Sequence, residues 1–287
     1  MREIQVEVNG LTFTCFEEGN GPLALLLHGF PDSAHTWRYL FPRLAAAGFR
    51  AVAPFTRGYA PTEIPEDGCY QLGALVSDAT GLHEALGGDS SAVLIGHDWG
   101  ALTAYGAAAF APARWRRVVT LGVAPLPVSM QAFFSYEQMK RSFYVFLFQT
   151  ALAEPAVAMD DLAFIDGLWR DWSPRLDGSV FAGHAKDALR APPNLGAAIG
   201  YYRAAYDAAT HQERYAAAHA AAMEIAPQPL LYLQGTPDGA FIAVAEPAVL
   251  AALSPASRYE MMQGLGHFLH LEDPERVNAR IIEWVTA

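Results

Sequence analysis

The chain has 287 residues, enough for one large core or for one core that carries an insertion. A net charge of -11 argues against nucleic acid and against an anionic membrane surface as partners. No run of about 18 apolar residues is available to cross a bilayer. The amino terminus opens on a strand-like pattern without a signal-peptide layout. The two cysteines, Cys15 and Cys69, lie far apart and match no metal spacing. These features predict a cytoplasmic protein with reduced thiols.

In chain order, Ile4, Val6 and Val8 alternate with polar residues, Asn9-Gly10 follows, and Leu11, Phe13 and Cys15 alternate again. This pattern predicts a β-hairpin. Leu23 to Leu27 is a continuous apolar run, as expected of a buried parallel strand, and leads into His28-Gly29-Phe30-Pro31-Asp32-Ser33. Trp37, Leu40, Phe41 and Leu44 have helical spacing up to Gly48. Phe49 to Pro54 predicts a strand, followed by Arg57-Gly58-Tyr59, which we read as a structural loop. Leu72 to Leu86 predicts an amphipathic helix that stops at Gly87-Gly88. Ala92 to Ile95 and Arg117 to Leu121 predict two more strands, with an alanine-rich helix from Ala101 to Phe110 between them.

Strand–helix alternation then stops near Pro125-Leu126-Pro127 and resumes at Pro229. The intervening stretch has helical spacing and many aromatic residues, and predicts a helical insertion. Strands at Leu230–Leu233 and Arg258–Met262 and a last helix after Asp273-Pro274 complete the chain. The pattern predicts a mostly parallel sheet with helices on both faces, eight strands in all, one of them antiparallel. Residues 1–126 and 227–287 form its core, and residues 127–226 a helical cap. Ligands of such sheets bind beyond the carboxyl ends of the strands.

The organising stretch is Gly96-His97-Asp98-Trp99-Gly100, placed between a strand and a helix. One reading is an Asx turn capping the helix. The other is a nucleophile elbow, in which two glycines permit a sharp turn that lifts the middle side chain above the strand end. Here that side chain is a carboxylate. It needs no base to ionise it and suits displacement at an sp3 carbon, leaving an alkyl ester on the protein. Asp98, Asp238 and His267 follow in the order nucleophile, acid, histidine, which is the triad order of α/β-hydrolases. In that arrangement His267 activates water, Asp238 orients it, and the backbone N–H groups of Phe30 and Trp99 face the ester oxygen. His97 is expected to pack and hydrogen-bond. No metal-binding spacing and no glycine-rich phosphate motif is present, so no cofactor is expected.

The motifs His28-Gly29-Phe30-Pro31, Arg57-Gly58-Tyr59, Gly96-His97-Asp98-Trp99-Gly100 and the late Asp238 and Gly266-His267 resemble those of the soluble epoxide hydrolases of the α/β-hydrolase superfamily. The resemblance implies that a hydrophobic epoxide and water are converted to a vicinal diol. It also implies two cap tyrosines that donate to the epoxide oxygen, falling here on Tyr144 and Tyr202. The chain departs from the family pattern at Phe146 and Phe148, where a tyrosine is common, and at Gly200, where asparagine is common. Phe55-Thr56 stands in place of the usual acid before Arg57. Haloalkane dehalogenases share Asp98 and Trp99; Phe30 counts against them, while Trp169 and Trp172 keep that alternative open. A third alternative is a non-catalytic ligand-binding protein of the same fold.

Overall fold

The computed structural model describes residues 1–287. Eight strands form one sheet in the order β1-β2-β4-β3-β5-β6-β7-β8. They are β1 (Arg2–Val8), β2 (Leu11–Gly19), β3 (Leu23–Leu27), β4 (Arg50–Pro54), β5 (Val93–His97), β6 (Arg117–Leu121), β7 (Leu230–Gly235) and β8 (Arg258–Met262). The β1–β2 hairpin turns on Asn9 and Gly10, both at positive φ, as a two-residue turn matched to strand twist requires. β2 runs antiparallel to both of its neighbours, and every other pairing is parallel. The expected eight strands and single reversed strand are therefore present.

The inner parallel strands β3 to β7 are largely buried on both faces, which explains their apolar runs. Leu23, Leu25 and Leu27 of β3 pack into one core with α2 (Leu72–Ala85) and α3 (Trp99–Phe110). Ala24 and Leu26 point the opposite way, into a second core with α1 (Phe41–Ala46) and the last helix, Pro274–Thr286. The single helix expected from Trp37 is instead a 3₁₀ turn at Ala34–Trp37 followed by α1. Pro42, in the first turn of α1, lacks the N–H that a helix continuing from Trp37 would need.

Between β6 and β7 the chain forms only helices. These are α4 (Leu126–Phe133), α5 (Tyr136–Arg141), α6 (Phe143–Phe148), α7 (Ala153–Trp172), α8 (Ser179–Leu189), α9 (Pro192–Tyr206) and α10 (Ala216–Ala221). α7 is broken at Met159–Leu162, where Asp160, Asp161 and Leu162 sit at positive φ. After β7 come α11 (Glu246–Ala251), α12 (Leu269–Glu272) and α13, the last helix named above. Arg57, beyond β4, is buried in a two-pronged pair with Asp78 of α2, at 2.6 and 2.7 Å, and also donates to the Cys69 carbonyl. No helix is long and apolar enough to cross a membrane.

The strand-to-helix turn at Asp98 depends on close backbone approach. A Cβ on Gly100 would lie 2.0 Å from the Leu27 carbonyl oxygen, and one on Gly96 would lie 2.1 Å from that of Gly100. Gly100→Ala should therefore cost about 1–3 kcal/mol in urea denaturation, the usual penalty for overpacking. Gly196→Ala is the control. It lies inside α9 with nothing within 4 Å of its Cβ position, and it should gain up to about 1 kcal/mol from helix propensity. Equal behaviour of the two variants would contradict the close approach of β3 and α3.

Candidate active site

Asp98 has φ 55° and ψ −118°, a conformation that L residues adopt only when the surroundings impose it. Its N–H bonds the Leu121 carbonyl, and its own carbonyl accepts from Ala101 and Leu102, so strand and helix hold it from both sides. The side chain makes no capping bond to α3, which removes the Asx-turn reading. Instead Asp98 Oδ1 accepts the Phe30 N–H at 2.8 Å. The second expected donor, the Trp99 N–H, makes no hydrogen bond to the carboxylate. A Cβ on Gly29 would lie 2.3 Å from Asp98 Oδ1, so this loop position has room only for glycine. His28 braces the loop, pairing through Nδ1 with the Gly29 carbonyl and through Nε2 with the Thr56 N–H.

His267 and Asp238 meet the carboxylate from the far end of the sheet. His267 Nε2 is 3.6 Å from Asp98 Oδ2, and its Nδ1 is 3.0 Å from Asp238 Oδ2. Asp238 is buried and also accepts the N–H groups of Ala240 and Phe241 and the side-chain amide of Gln234. The His267 backbone is fixed as well. Its N–H donates to the Trp172 carbonyl, and its carbonyl accepts from His97 Nε2. Burial alone would lower the pKa of His267, but Asp238 and Asp98 outweigh it and push it up to about 10. Both carboxylates thus favour the imidazolium form of His267.

Asp98 and Trp99 line a cleft of about 330 Å³, together with Tyr144 of α6 and Tyr202 of α9. Sixteen of its twenty lining residues are hydrophobic, so an apolar ligand fits it and a polyanion does not. The Tyr144 and Tyr202 rings stand edge to face at 5.6 Å, and both pack on Phe30. Burial raises both hydroxyl pKa values, and the nearby Asp98 charge raises them further, so both phenols stay protonated donors. Gly200 is explained by packing, since a Cβ there would lie 2.6 Å from the Tyr70 ring.

All seven residues singled out in the sequence therefore gather at one end of the sheet. Sequence reasoning missed Gln234, which steadies Asp238, and the Trp172 carbonyl, which anchors the His267 N–H. Gln234 stands four residues before Asp238 at the end of β7, a visible signal. A backbone carbonyl has none.

A sequence profile described as the alpha/beta hydrolase fold matches residues 22–274. The chain belongs to that family. An epoxide hydrolase of Caballeronia sordidicola is 43% identical over 43% of this chain and 37% of its own length. Epoxide hydrolase A of Mycobacterium tuberculosis is 29% identical over 98% of this chain and 96% of its own. The crystal structure of a candidate epoxide hydrolase from Klebsiella pneumoniae superposes with a TM-score of 0.86 at 26% identity, covering 100% of this chain and 98% of that one.

The raised pKa of His267 has a measurable consequence. Its stabilising contribution is complete below the ordinary histidine value of 6.5 and is lost as pH rises towards about 10. Stability measured against His267→Gln should show an advantage for the parent protein that shrinks across this window. A constant difference would place His267 beyond the pull of both carboxylates.

Proposed function

We propose that this chain is an epoxide hydrolase that opens a hydrophobic epoxide with water, through an ester on Asp98, to give a vicinal diol. The observation that carries this reading is one apolar cleft lined by Asp98, Tyr144 and Tyr202 together, with His267 Nε2 3.6 Å from the Asp98 carboxylate. The relatives named above support it. Residues 127–226 serve as the cap over a core of residues 1–126 and 227–287. The two buried free cysteines fit a cytoplasmic setting.

Asp98 attacks one epoxide carbon in line, forming a C–O ester bond as the ring C–O bond breaks. The departing oxygen needs one proton, which Tyr144 or Tyr202 supplies while the other donates a hydrogen bond. Esterification removes the negative charge of Asp98, and two pKa values respond together. The phenols become more acidic because a repelling anion is gone. His267 becomes less basic because one of its two carboxylates is gone. It can then give up its proton, restore the phenol, and act as base on water attacking the ester carbonyl, with Asp238 stabilising the new imidazolium. The Phe30 N–H is placed to stabilise the oxyanion. Collapse of the tetrahedral adduct returns Asp98 as a carboxylate beside a protonated His267, the departing diol oxygen taking the second proton of the attacking water.

The dehalogenase alternative needs N–H donors that converge on a leaving halide. Trp169 is already committed, since its indole N–H donates to the Pro31 carbonyl at 2.7 Å. Styrene oxide and a bromoalkane offered side by side, with diol and bromide measured, separate the two chemistries; efficient bromide release would overturn the epoxide assignment, and silence towards both would favour a ligand-binding protein. Tyr144→Phe and Tyr202→Phe should each slow alkylation by about 10²–10⁴-fold. Unchanged diol formation in both variants would remove the tyrosines from the mechanism. His267→Gln should complete one alkylation and stop, leaving a protein heavier by one epoxide. In labelled water, the first turnover of the parent enzyme should put the label in Asp98. Label in the first diol would make Asp98 an orienting group only.

A further inference from the structure

Behind the triad, three side chains from distant parts of the chain meet in a fully enclosed site. Asp32 follows β3, His97 ends β5 and His270 lies in α12; all three are buried. Asp32 Oδ2, His97 Nδ1 and His270 Nδ1 have no hydrogen-bond partner, and one ligating atom from each of the three residues lies within 4.8 Å of the others. Buried polar atoms are rarely left unpaired, and three facing each other point to a shared partner.

Spacing and protonation together bear on that partner. Ligands of a tetrahedral zinc ion stand about 3.4 Å apart, given metal–ligand bonds of about 2.1 Å. Groups bonded to one water at about 2.8 Å stand about 4.6 Å apart. Here His97 Nδ1 and Asp32 Oδ2 are 4.0 Å apart, midway between the two, so the protons decide. The proton count follows from the outer contacts. His97 Nε2 faces the His267 carbonyl, which can only accept, so Nε2 carries the proton and Nδ1 is a lone pair. His270 Nε2 bonds the Thr36 hydroxyl at 2.6 Å. When that nitrogen is the donor, His270 Nδ1 is a second acceptor, and a water giving both its hydrogens to the two rings must accept from Asp32.

We propose that Asp32 is a protonated, uncharged acid that donates to a buried water held by His97 and His270. The titratable groups facing it are Tyr59, His97, Asp98, His267 and His270. The electrostatics agree. Burial, with a smaller push from the Asp98 charge, takes the Asp32 carboxyl up to about 8 against the lowering by Ser33, Thr36 and His267. Burial and the positive His267 keep His97 and His270 neutral. Asp32 is then a positioning residue. It completes the support of His97, which holds the His267 backbone, without adding a third carboxylate around the imidazolium.

The test is Asp32→Asn, which keeps the shape and the donor of a neutral acid. The folded pKa of Asp32 lies above its unfolded value of 3.8, so the parent loses stability relative to the variant as pH rises from 3.8 towards about 8. At pH 8 the variant should melt higher than the parent by about 3 °C or more, and the difference should vanish near pH 4. The infrared difference between parent and variant at pH 7 should contain the C=O stretch of a protonated carboxyl. Metal analysis of the purified protein should show no stoichiometric metal. A variant that melts lower at pH 8, or fails to fold, would mean that Asp32 is ionised. Absence of the protonated-carboxyl band, or a bound metal whose removal lowers the melting temperature, would also overturn the proposal.

Discussion

The buried negative charge of Asp98 is the constraint to which the other groups answer. A carboxylate taken out of water costs several kcal/mol unless donors and a counter-charge meet it. The Phe30 N–H and the imidazolium of His267 meet this one. The same charge raises the pKa of both cleft tyrosines and of His267. In the proposed reaction, a single bond formed at Asp98 would change three proton affinities at once.

Holding such a charge in place takes backbone geometry, because side-chain packing alone would let it relax. The positive φ of Asp98 stores strain, and the absent Cβ atoms of Gly29, Gly96 and Gly100 allow β3, β5 and α3 to close around it. Asp238 is treated in the opposite way. Four donors saturate it, the His267 ring among them, so it has little freedom to do anything but orient that ring. Two carboxylates in one site acquire different roles from the number and kind of their hydrogen bonds.

Much of this was legible in the sequence. Strand runs such as Leu23–Leu27 read clearly because a two-faced parallel strand leaves no room for polar residues. Asp98, Asp238 and His267 read from their order and from their places after strand ends. Tyr144 and Tyr202 came only from family resemblance, since aromatic residues on helices more often pack than react. Tertiary constraints were not legible. The Trp172 carbonyl and the gathering of Asp32, His97 and His270 depend on residues far apart in the chain and leave no local pattern. The break before α1 did have a local sign, in Pro42.

The Trp172 carbonyl has a consequence for redesign. It accepts the N–H of both Gly239 and His267, so the carboxyl end of α7 is tied to the loops that carry the acid and the base. Trp172 itself stacks edge-on against the His267 ring at 5.1 Å. A relative's whole helical insert grafted onto this sheet would have to bring a carbonyl to the same point to keep that tie and hold the imidazole in place. Changes at the exposed rim, where Met130, Phe134 and Tyr206 surround the cleft mouth, leave it intact. Substrate range in this scaffold is therefore better altered by point changes at the entrance than by exchange of modules.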